Sequence, residues 1–294
     1  MNTSLLELRL TDGRKMAYAE YGLRSGKPLL MLHGTPGGRL QAQIFDQAAR
    51  DSGVRVIATD RPGMGRSDPV PHLTYLGYAD DIRQLLEHLA LPRAAMAAIS
   101  GGGGFALACA HALRGRVSQL VLVCAAVPVP RESRAGLSVQ NRLLGWLCRH
   151  QPRLAEALMR LAFPRRLDAA AVTRIARSMP PADRRVMQIP AVRDAFLGES
   201  TRDMLRQGFA AIVHEMRLHE GTLGFDLGEI DVPVDLLHGL YDSNVPPGVA
   251  RYVAAQIPGA RLDLIANAAH LFILETPERL FRLIQAPTPG AGAR

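Results

Sequence analysis

A serine stands where a β-like run meets a glycine-rich, helix-prone run. Positions 98–107 read AISGGGGFAL, with Ser100 at the junction. Such a strand-to-helix turn strains the backbone, exposes the serine hydroxyl and requires small neighbours so that strand and helix can pack closely. Ala98 and Gly102 are small enough, and the N–H of Gly101 lies at a helix N-terminus, where it can stabilise an oxyanion. The stretch therefore indicates a nucleophile and one oxyanion donor.

The same glycines could instead cradle a phosphate, as a dinucleotide fingerprint or a P-loop does. Gly101, Gly103 and Ala106 match GxGxxA, but the fingerprint also needs an acid at the end of the next strand, about 20 positions on. The next strand-like run, QLVLVCAAVPVP, contains no acid, and no lysine follows Lys27 to serve a P-loop. We therefore expect no nucleotide and no other cofactor, and the scattered histidines give no metal-ligand spacing.

A serine nucleophile needs a base, and the base needs an acid that orients it. Two late segments carry these residue types after strand-like runs: VPVDLLHGLYDSNVPP contains Asp242, and LDLIANAAHLFILETPE contains His270. The carboxyl ends of parallel strands meet at one edge of a sheet, where such sites are built. An earlier run ends in HGTPGG, and the N–H of Thr35 in it is the candidate for a second oxyanion donor.

Hydrophobic patterning predicts elements that could bring these residues together. Residues 5–22 have alternating apolar positions around an Asp12-Gly13 turn, which is typical of a β-hairpin. Later apolar runs alternate with amphipathic helical stretches, which indicates an α/β fold with a mostly parallel, doubly wound sheet covered on both faces. The predicted strands are 28–32, 54–59, 94–99, 120–124, 234–237 and 261–265.

The alternation is interrupted between residues 130 and 225. This stretch has several arginine-bearing helical patterns, separated by FPRR and MPPADRR, and no convincing strand. We predict an inserted all-helical cap, most simply a lid over the carboxyl edge of the sheet. The predicted organisation is a first part of the core at 1–129, the cap at 130–225, a second part of the core at 226–285 and a flexible tail at 286–294.

Composition places the chain among globular proteins. Its 294 residues, 48% hydrophobic and 21% charged, suffice for one large domain that buries about three quarters of its unfolded surface. No signal peptide and no apolar run of membrane-spanning length is recognisable, which predicts a soluble, cytoplasmic protein without a membrane span. The three cysteines lack CxxC spacing, which favours free core thiols over a disulfide framework or a zinc site.

The formal net charge of +8 raises the alternative of a nucleic-acid partner. Nearly all of the excess falls between residues 131 and 225, where arginine, aspartate and glutamate alternate with apolar residues. Aromatic residues that could stack on bases are nearly absent there. Solvated helical faces explain this pattern better than a nucleic-acid groove does, so no nucleic-acid partner is expected.

Taken together, these motifs resemble the α/β-hydrolase fold superfamily, in the group with a helical cap after the sixth strand. A further motif supports the likeness, because TDRPGMGRSDP at 59–69 resembles the family's D-x-P-G-x-G-x-S-D turn, whose residues are expected to be structural. The resemblance covers nearly the whole chain. It implies these roles: Ser100 as nucleophile, His270 as base, Asp242 as acid, and the amides of Thr35 and Gly101 as the oxyanion hole.

Two positions depart from the family pattern. The residue two before the serine and the residue before the catalytic histidine are usually glycine, whereas this chain has Ala98 and Ala269. Both replacements are small, so we expect a slight adjustment of the turn and not its loss.

Serine at the nucleophile position implies a cofactor-free hydrolase that works through an acyl-enzyme. The expected partner is a small-molecule ester, thioester or lactone of modest size with a largely apolar acyl part. Three alternatives stay open, because fold does not settle function: a carbon–carbon hydrolase or an acyl-transferring or cyclising enzyme of a biosynthetic pathway, a peptidase of the proline-iminopeptidase type, and a non-catalytic binding protein. The oligomeric state is also open, with a homodimer as one option.

Overall fold

The computed structural model describes residues 5–162, 173, 176–177 and 179–286. The tail predicted to be flexible lies outside the described residues from position 287 onward. Within the described residues, the chain forms an eight-stranded sheet with helices on both faces and a group of helices beside the carboxyl ends of its strands.

The eight strands form one mostly parallel sheet. They are β1 (Leu6–Arg9), β2 (Lys15–Gly22), β3 (Lys27–Leu32), β4 (Val54–Thr59), β5 (Ala94–Ile99), β6 (Val117–Val123), β7 (Val234–Gly239) and β8 (Arg261–Ile265). Their order across the sheet is β1-β2-β4-β3-β5-β6-β7-β8. The predicted hairpin is present as the antiparallel pair β1–β2, and β2 also runs antiparallel to β4. All other neighbouring strands are parallel, which confirms the predicted α/β fold class.

Helices cover the sheet on both faces, which is why its central strands are apolar throughout. The α-helices are α1 (Asp46–Asp51), α2 (Tyr75–His88), α3 (Gly103–Ala112), α4 (Val139–His150), α5 (Pro152–Ala162), α6 (Pro181–Val186), α7 (Pro190–Leu197), α8 (Glu199–Met204), α9 (Ala210–His219), α10 (Pro247–Gln256) and α11 (Glu278–Gln285). Helices α2, α3 and α10 pack into one buried cluster with the sheet, and α1 and α11 pack into another.

The helices α4 to α9 lie between β6 and β7 in the chain and form the cap. None of the described residues between 130 and 225 belongs to a strand, as the sequence predicts for an all-helical insertion. Proline begins α6 at Pro181 and α7 at Pro190, positions that suit a residue without an N–H.

The state of the three cysteines and the length of the helices bear on two predictions from composition. Cys109, Cys124 and Cys148 are buried free thiols, as their spacing predicts. Along the described stretches of chain, no helix combines the length and apolar character that crossing a bilayer requires.

Candidate active site

Ser100 lies at the tip of a sharp turn between β5 and α3. The strand ends at Ile99, Ser100–Gly102 forms one 3-10 turn, and α3 begins at Gly103. The φ of Ser100 is +51°, a left-handed conformation that costs about 1–2 kcal/mol for a residue with a side chain. The amide of Ala126 donates to the Ser100 carbonyl at 2.7 Å, which helps to hold the turn. The structure thus has the strained strand-to-helix geometry that the sequence predicts.

The loop after β8 brings His270 to Ser100, and the loop after β7 brings Asp242 to His270. His270 Nε2 lies 3.0 Å from Ser100 Oγ, and His270 Nδ1 lies 2.7 Å from Asp242 Oδ2. The other carboxylate oxygen of Asp242 accepts hydrogen bonds from the amides of Asn244 and Val245, at 2.8 and 2.9 Å. A hydroxyl, an imidazole and a carboxylate from three distant parts of the sequence therefore form one hydrogen-bonded chain.

The charges around His270 favour transfer of a proton to it. Burial alone would raise the pKa of Asp242, but the charge and hydrogen bond of His270 hold this pKa below its ordinary value. Burial alone would lower the pKa of His270, but Asp242, with a further contribution from Asp183, raises it above its ordinary value. Asp242 therefore stays ionised at neutral pH and can stabilise a positive charge on the His270 imidazole.

The two predicted oxyanion donors lie beside each other and next to Ser100. A Cβ placed on Gly101 would lie 3.0 Å from the nitrogen of Thr35 and 2.1 Å from its Oγ1, so only glycine permits this approach. A Cβ placed on Gly34 would lie 3.2 Å from Ser100 Cβ, which puts the loop after β3 against the serine. No acceptor among the described residues is paired with the Thr35 amide, so this N–H can meet a substrate oxygen.

A cavity of about 570 Å³ opens onto Ser100 and His270. Its lining includes the oppositely charged Arg134 and Glu220, which pair with each other at 2.8 Å. Most of the remaining lining is apolar and comes from both the core and the cap; it includes Met31, Phe45, Leu144, Ile212, Met216 and Leu271. Such a volume and lining suit a small, largely apolar ligand.

The residues of the TDRPGMGRSDP turn hold loops of the core. Asp60 is completely buried, and its carboxylate accepts hydrogen bonds from the amides of Arg39 at 2.6 Å and Arg66 at 3.0 Å. Ser67 Oγ donates to the Asp60 carbonyl at 2.7 Å, and the Asp68 carboxylate accepts from the first amide of β2 at 2.9 Å. These contacts fit the structural role that the turn motif predicts for these residues.

One cluster has metal-ligand residue types but is arranged to support Asp242. Atoms of Cys124, His238 and Asp242 lie within 4.8 Å of one another. Burial raises the pKa of Cys124 well above its ordinary value, which disfavours the thiolate that a metal needs. His238 Nε2 already lies 2.8 Å from the carbonyl of Val245, and Asp242 is engaged by His270. The arrangement fits a hydrogen-bonded support better than a cation site.

Three buried carboxylates of the cap reach the core, and no pattern in the sequence identifies them. They are Asp183, Asp203 and Glu215, and each is at most 8% exposed, so the expectation of solvated helical faces is wrong for them. Asp183 accepts hydrogen bonds from the amides of His270 and Leu271, at 3.2 and 2.8 Å. The other two pair with arginines of the core. Their partners lie 87 or more positions away, so no local pattern predicts these contacts.

Comparison with known proteins gives a family match and several relatives. A family model described as alpha/beta hydrolase fold matches residues 27–167. The chain is 40% identical over 124 residues to a non-heme chloroperoxidase of Streptomyces lividans, in an alignment that covers 40% of this chain but only 44% of that relative. It is 26% identical over 271 residues to an AB hydrolase superfamily protein of Bacillus subtilis, covering 88% of this chain and 90% of that protein.

Solved structures extend the likeness over nearly the whole chain. An esterase from Exiguobacterium antarcticum matches with a TM-score of 0.69 at 20% sequence identity, covering 97% of this chain and 98% of that one. At this identity the match concerns the fold alone.

Proposed function

Because the chain belongs to the α/β-hydrolase fold superfamily, we propose that it is a serine hydrolase that cleaves an ester, thioester or lactone through an acyl-enzyme. The observation that carries the proposal is the hydrogen-bonded chain from Ser100 through His270 to Asp242, with distances of 3.0 and 2.7 Å. Both distances suit a nucleophile, its base and the acid that orients the base.

Acylation begins when Ser100 Oγ attacks the carbonyl carbon of the substrate. His270 Nε2 takes the hydroxyl proton, and the ionised Asp242 stabilises the imidazolium. The amides of Thr35 and Gly101 donate hydrogen bonds to the oxygen that gains negative charge. The tetrahedral intermediate then collapses, the bond to the leaving oxygen or sulfur breaks, and His270 returns the proton to that atom.

Deacylation uses the same groups with water as the nucleophile. His270 removes a proton from the water, whose oxygen attacks the acyl carbon. The bond between this carbon and Ser100 Oγ breaks, and Ser100 recovers the proton as the carboxylic acid leaves. The apolar lining of the cavity supports a substrate with an apolar acyl part, and its volume of about 570 Å³ favours a modest size.

Initial rates on a panel of p-nitrophenyl esters, thioesters and lactones test this proposal. We expect turnover by the wild type and a loss of roughly a thousandfold to a millionfold in Ser100→Ala, since the nucleophile, base and acid act as a unit. Circular dichroism of the variant controls for folding. Undiminished turnover in a folded Ser100→Ala protein is the result that would sink the proposal.

The identity of 40% over 124 residues to a non-heme chloroperoxidase favours a second candidate activity at the same site. Hydrogen peroxide in place of water would attack the acyl-enzyme and release a peracid and free Ser100. The peracid would then transfer its outer oxygen to a halide ion in solution, which gives hypohalous acid and the carboxylate. Peracid formation from an ester and hydrogen peroxide, absent in Ser100→Ala, would support this candidate, and hydrolysis without peracid formation would exclude it.

A further inference from the structure

Helix α9 of the cap places a carboxylate against the loop that carries Thr35. Glu215 pairs with Arg61, which follows β4, and both side chains are 0% exposed. Arg61 Nε and Nη2 donate to the two carboxylate oxygens at 2.6 and 2.8 Å, a two-point pairing with high directional specificity. The hydroxyl of Thr35 donates to Oε2 of the same carboxylate at 2.5 Å.

The guanidinium of Arg61 extends this contact along the loop. Its Nη1 donates to the carbonyl of His33 at 2.5 Å, and its Nη2 donates to the carbonyl of Gly34 at 2.9 Å. The guanidinium carbon lies 4.8 Å from the centre of the Phe105 ring, a cation–π contact that helps to fix its position. The Arg61–Glu215 pair therefore contacts three consecutive loop residues, His33, Gly34 and Thr35.

His33 adds a further constraint on the same loop. Its Nε2 lies 3.2 Å from the Arg61 amide, and its Nδ1 lies 2.7 Å from the Gly34 carbonyl. Burial, and then the charge of Arg61, hold the pKa of His33 well below its ordinary value, so the ring is neutral. A neutral ring with its proton on Nδ1 satisfies both contacts. The Gly34 carbonyl thus accepts hydrogen bonds from both His33 and Arg61.

The contacts on Gly34 bear on the oxyanion hole because of peptide geometry. The Gly34 carbonyl and the Thr35 N–H belong to the same planar peptide, and in a trans peptide they point in opposite directions. Arg61 holds the carbonyl of Gly34, and Glu215 holds the hydroxyl of Thr35. These two contacts therefore fix the direction of the Thr35 N–H. That N–H lies beside Gly101 and has no acceptor among the described residues.

We propose that Glu215 is a positioning residue for the oxyanion hole: by holding Arg61 and the Thr35 hydroxyl, it fixes the Gly34–Thr35 peptide with its N–H facing the oxyanion. This inference rests on the proposed serine-hydrolase function. Because Glu215 belongs to the cap, the cap then completes the oxyanion hole and does more than cover the cavity.

A purely structural role, in which Glu215 only joins the cap to the core, would be shared by Asp203. Asp203 of α8 is also a buried cap carboxylate, and it pairs with the buried Arg39 of the core at 2.5 Å. Its described contacts do not include the loop from His33 to Thr35. Asp203 is therefore a matched control for Glu215.

The experiment compares Glu215→Gln with Asp203→Asn, since each change removes the charge and nearly preserves the shape. The readouts are kcat and KM for a p-nitrophenyl ester, the rate of inactivation by a fluorophosphonate, and the melting temperature. We expect Glu215→Gln to lower kcat about ten- to hundredfold with KM within about threefold, because a misplaced donor mainly affects the transition state. Inactivation should slow in parallel, and Asp203→Asn should keep kcat within about threefold of the wild type.

A milder variant keeps the test decisive if Glu215→Gln does not fold. Thr35→Val removes the hydroxyl that Glu215 accepts and leaves the Thr35 N–H in the chain, so kcat should fall several-fold. The proposal is overturned if Glu215→Gln retains the wild-type kcat, or if its kcat falls no further than that of Asp203→Asn. If Glu215→Gln does not fold, the proposal is overturned when Thr35→Val retains the wild-type kcat. If the wild type shows neither turnover nor labelling, the proposed serine-hydrolase function is wrong. This outcome is distinguishable from a failure of the role proposed for Glu215, in which the wild type is active and Glu215→Gln is not impaired.

Discussion

The candidate site depends on residues whose backbones come unusually close together. Ser100 has a left-handed φ of +51°, and Gly101 lies against Thr35, where a side chain would overlap Oγ1. These two positions could be predicted because serine between small residues after an apolar run is a local signal. Arg61 and Glu215 could not be predicted, because they are 154 positions apart and their pairing follows only from the placement of the cap. The catalytic roles themselves stay predictions that the following measurements test.

Among single residues, Asp183 has a predicted effect on the base: Asp183→Asn should move the acidic limb of the pH–rate profile to lower pH. Burial lowers the pKa of His270, the adjacent Asp242 raises it, and the Asp183 carboxylate raises it further. Removing the Asp183 charge therefore lowers the pKa of His270, which acts as a base only when it is neutral. The measurement is kcat/KM between pH 5 and 9 for the wild type and the variant.

The control for this shift is Asp203→Asn, which neutralises another buried cap carboxylate whose described contacts lie away from His270. Its acidic limb should coincide with that of the wild type. A limb that stays in place in Asp183→Asn, or moves to higher pH, would show that Asp183 does not act on His270.

At the scale of elements, apolar runs predict the bounds of most strands, and a buried polar residue explains why one strand begins earlier than predicted. The predicted strands 54–59, 94–99 and 261–265 coincide with β4, β5 and β8. Strand β6 begins at Val117, three positions before the prediction, because the buried Gln119 interrupts the apolar run. Its amide donates to the carbonyl of Leu283 at 2.9 Å, a satisfied contact that composition alone does not reveal.

The cap shows the limit of pattern analysis more clearly. The sequence pattern predicts solvated faces for its charged residues, but Asp183, Asp203 and Glu215 are buried against the core. Helical periodicity indicates which residues share a face, but not which partner satisfies a charge on that face. The contact between two elements decides that, and it becomes visible only when the fold is known.

The end of β7 packs against the loop that carries His270, so Gly239→Ala should affect both stability and rate. A Cβ on Gly239 would lie 2.2 Å from the carbonyl oxygen of Ala269, the residue before His270. Relief of this overlap costs about 1–3 kcal/mol and displaces the histidine loop, so both the melting temperature and kcat should fall. Thermal unfolding and ester hydrolysis are the measurements.

Gly259→Ala is the control for the previous variant. Gly259 has a φ of +73° in the turn before β8, and a Cβ there would meet nothing within 4 Å. The substitution should cost about 1–2 kcal/mol of backbone strain without changing kcat. Equal kcat values for Gly239→Ala and the wild type would show that the approach of β7 to Ala269 does not position His270.

At the scale of the whole molecule, buried carboxylates join the cap to the core. Removing one partner of a buried ion pair is destabilising by about 3–5 kcal/mol, so cap and core should unfold as one cooperative unit.

Trp146, the only tryptophan of the chain, lies on α4 of the cap and is 55% exposed. Its fluorescence reports the cap, whereas far-UV circular dichroism reports the whole chain.

We therefore expect the urea unfolding curves from Trp146 fluorescence and from circular dichroism to coincide in the wild type. In the double variant Glu215→Gln with Asp203→Asn, the fluorescence midpoint should move to lower urea than the circular dichroism midpoint, since both cap–core pairs are weakened. A wild-type cap that unfolds well before the rest of the chain would contradict this picture of a joined molecule.

Covalent labelling tests whether Ser100 is a nucleophile activated by His270 and Asp242. The purified protein is incubated with a fluorophosphonate, whose phosphorus bonds to an activated serine oxygen as fluoride leaves, and its intact mass is measured beside Ser100→Ala, His270→Ala and Asp242→Asn. We predict one adduct per wild-type chain, mapped to Ser100, no adduct in Ser100→Ala, and slower labelling in the other two variants. A folded wild type that stays unlabelled, or that is labelled at another residue, would show that Ser100 is not the activated nucleophile.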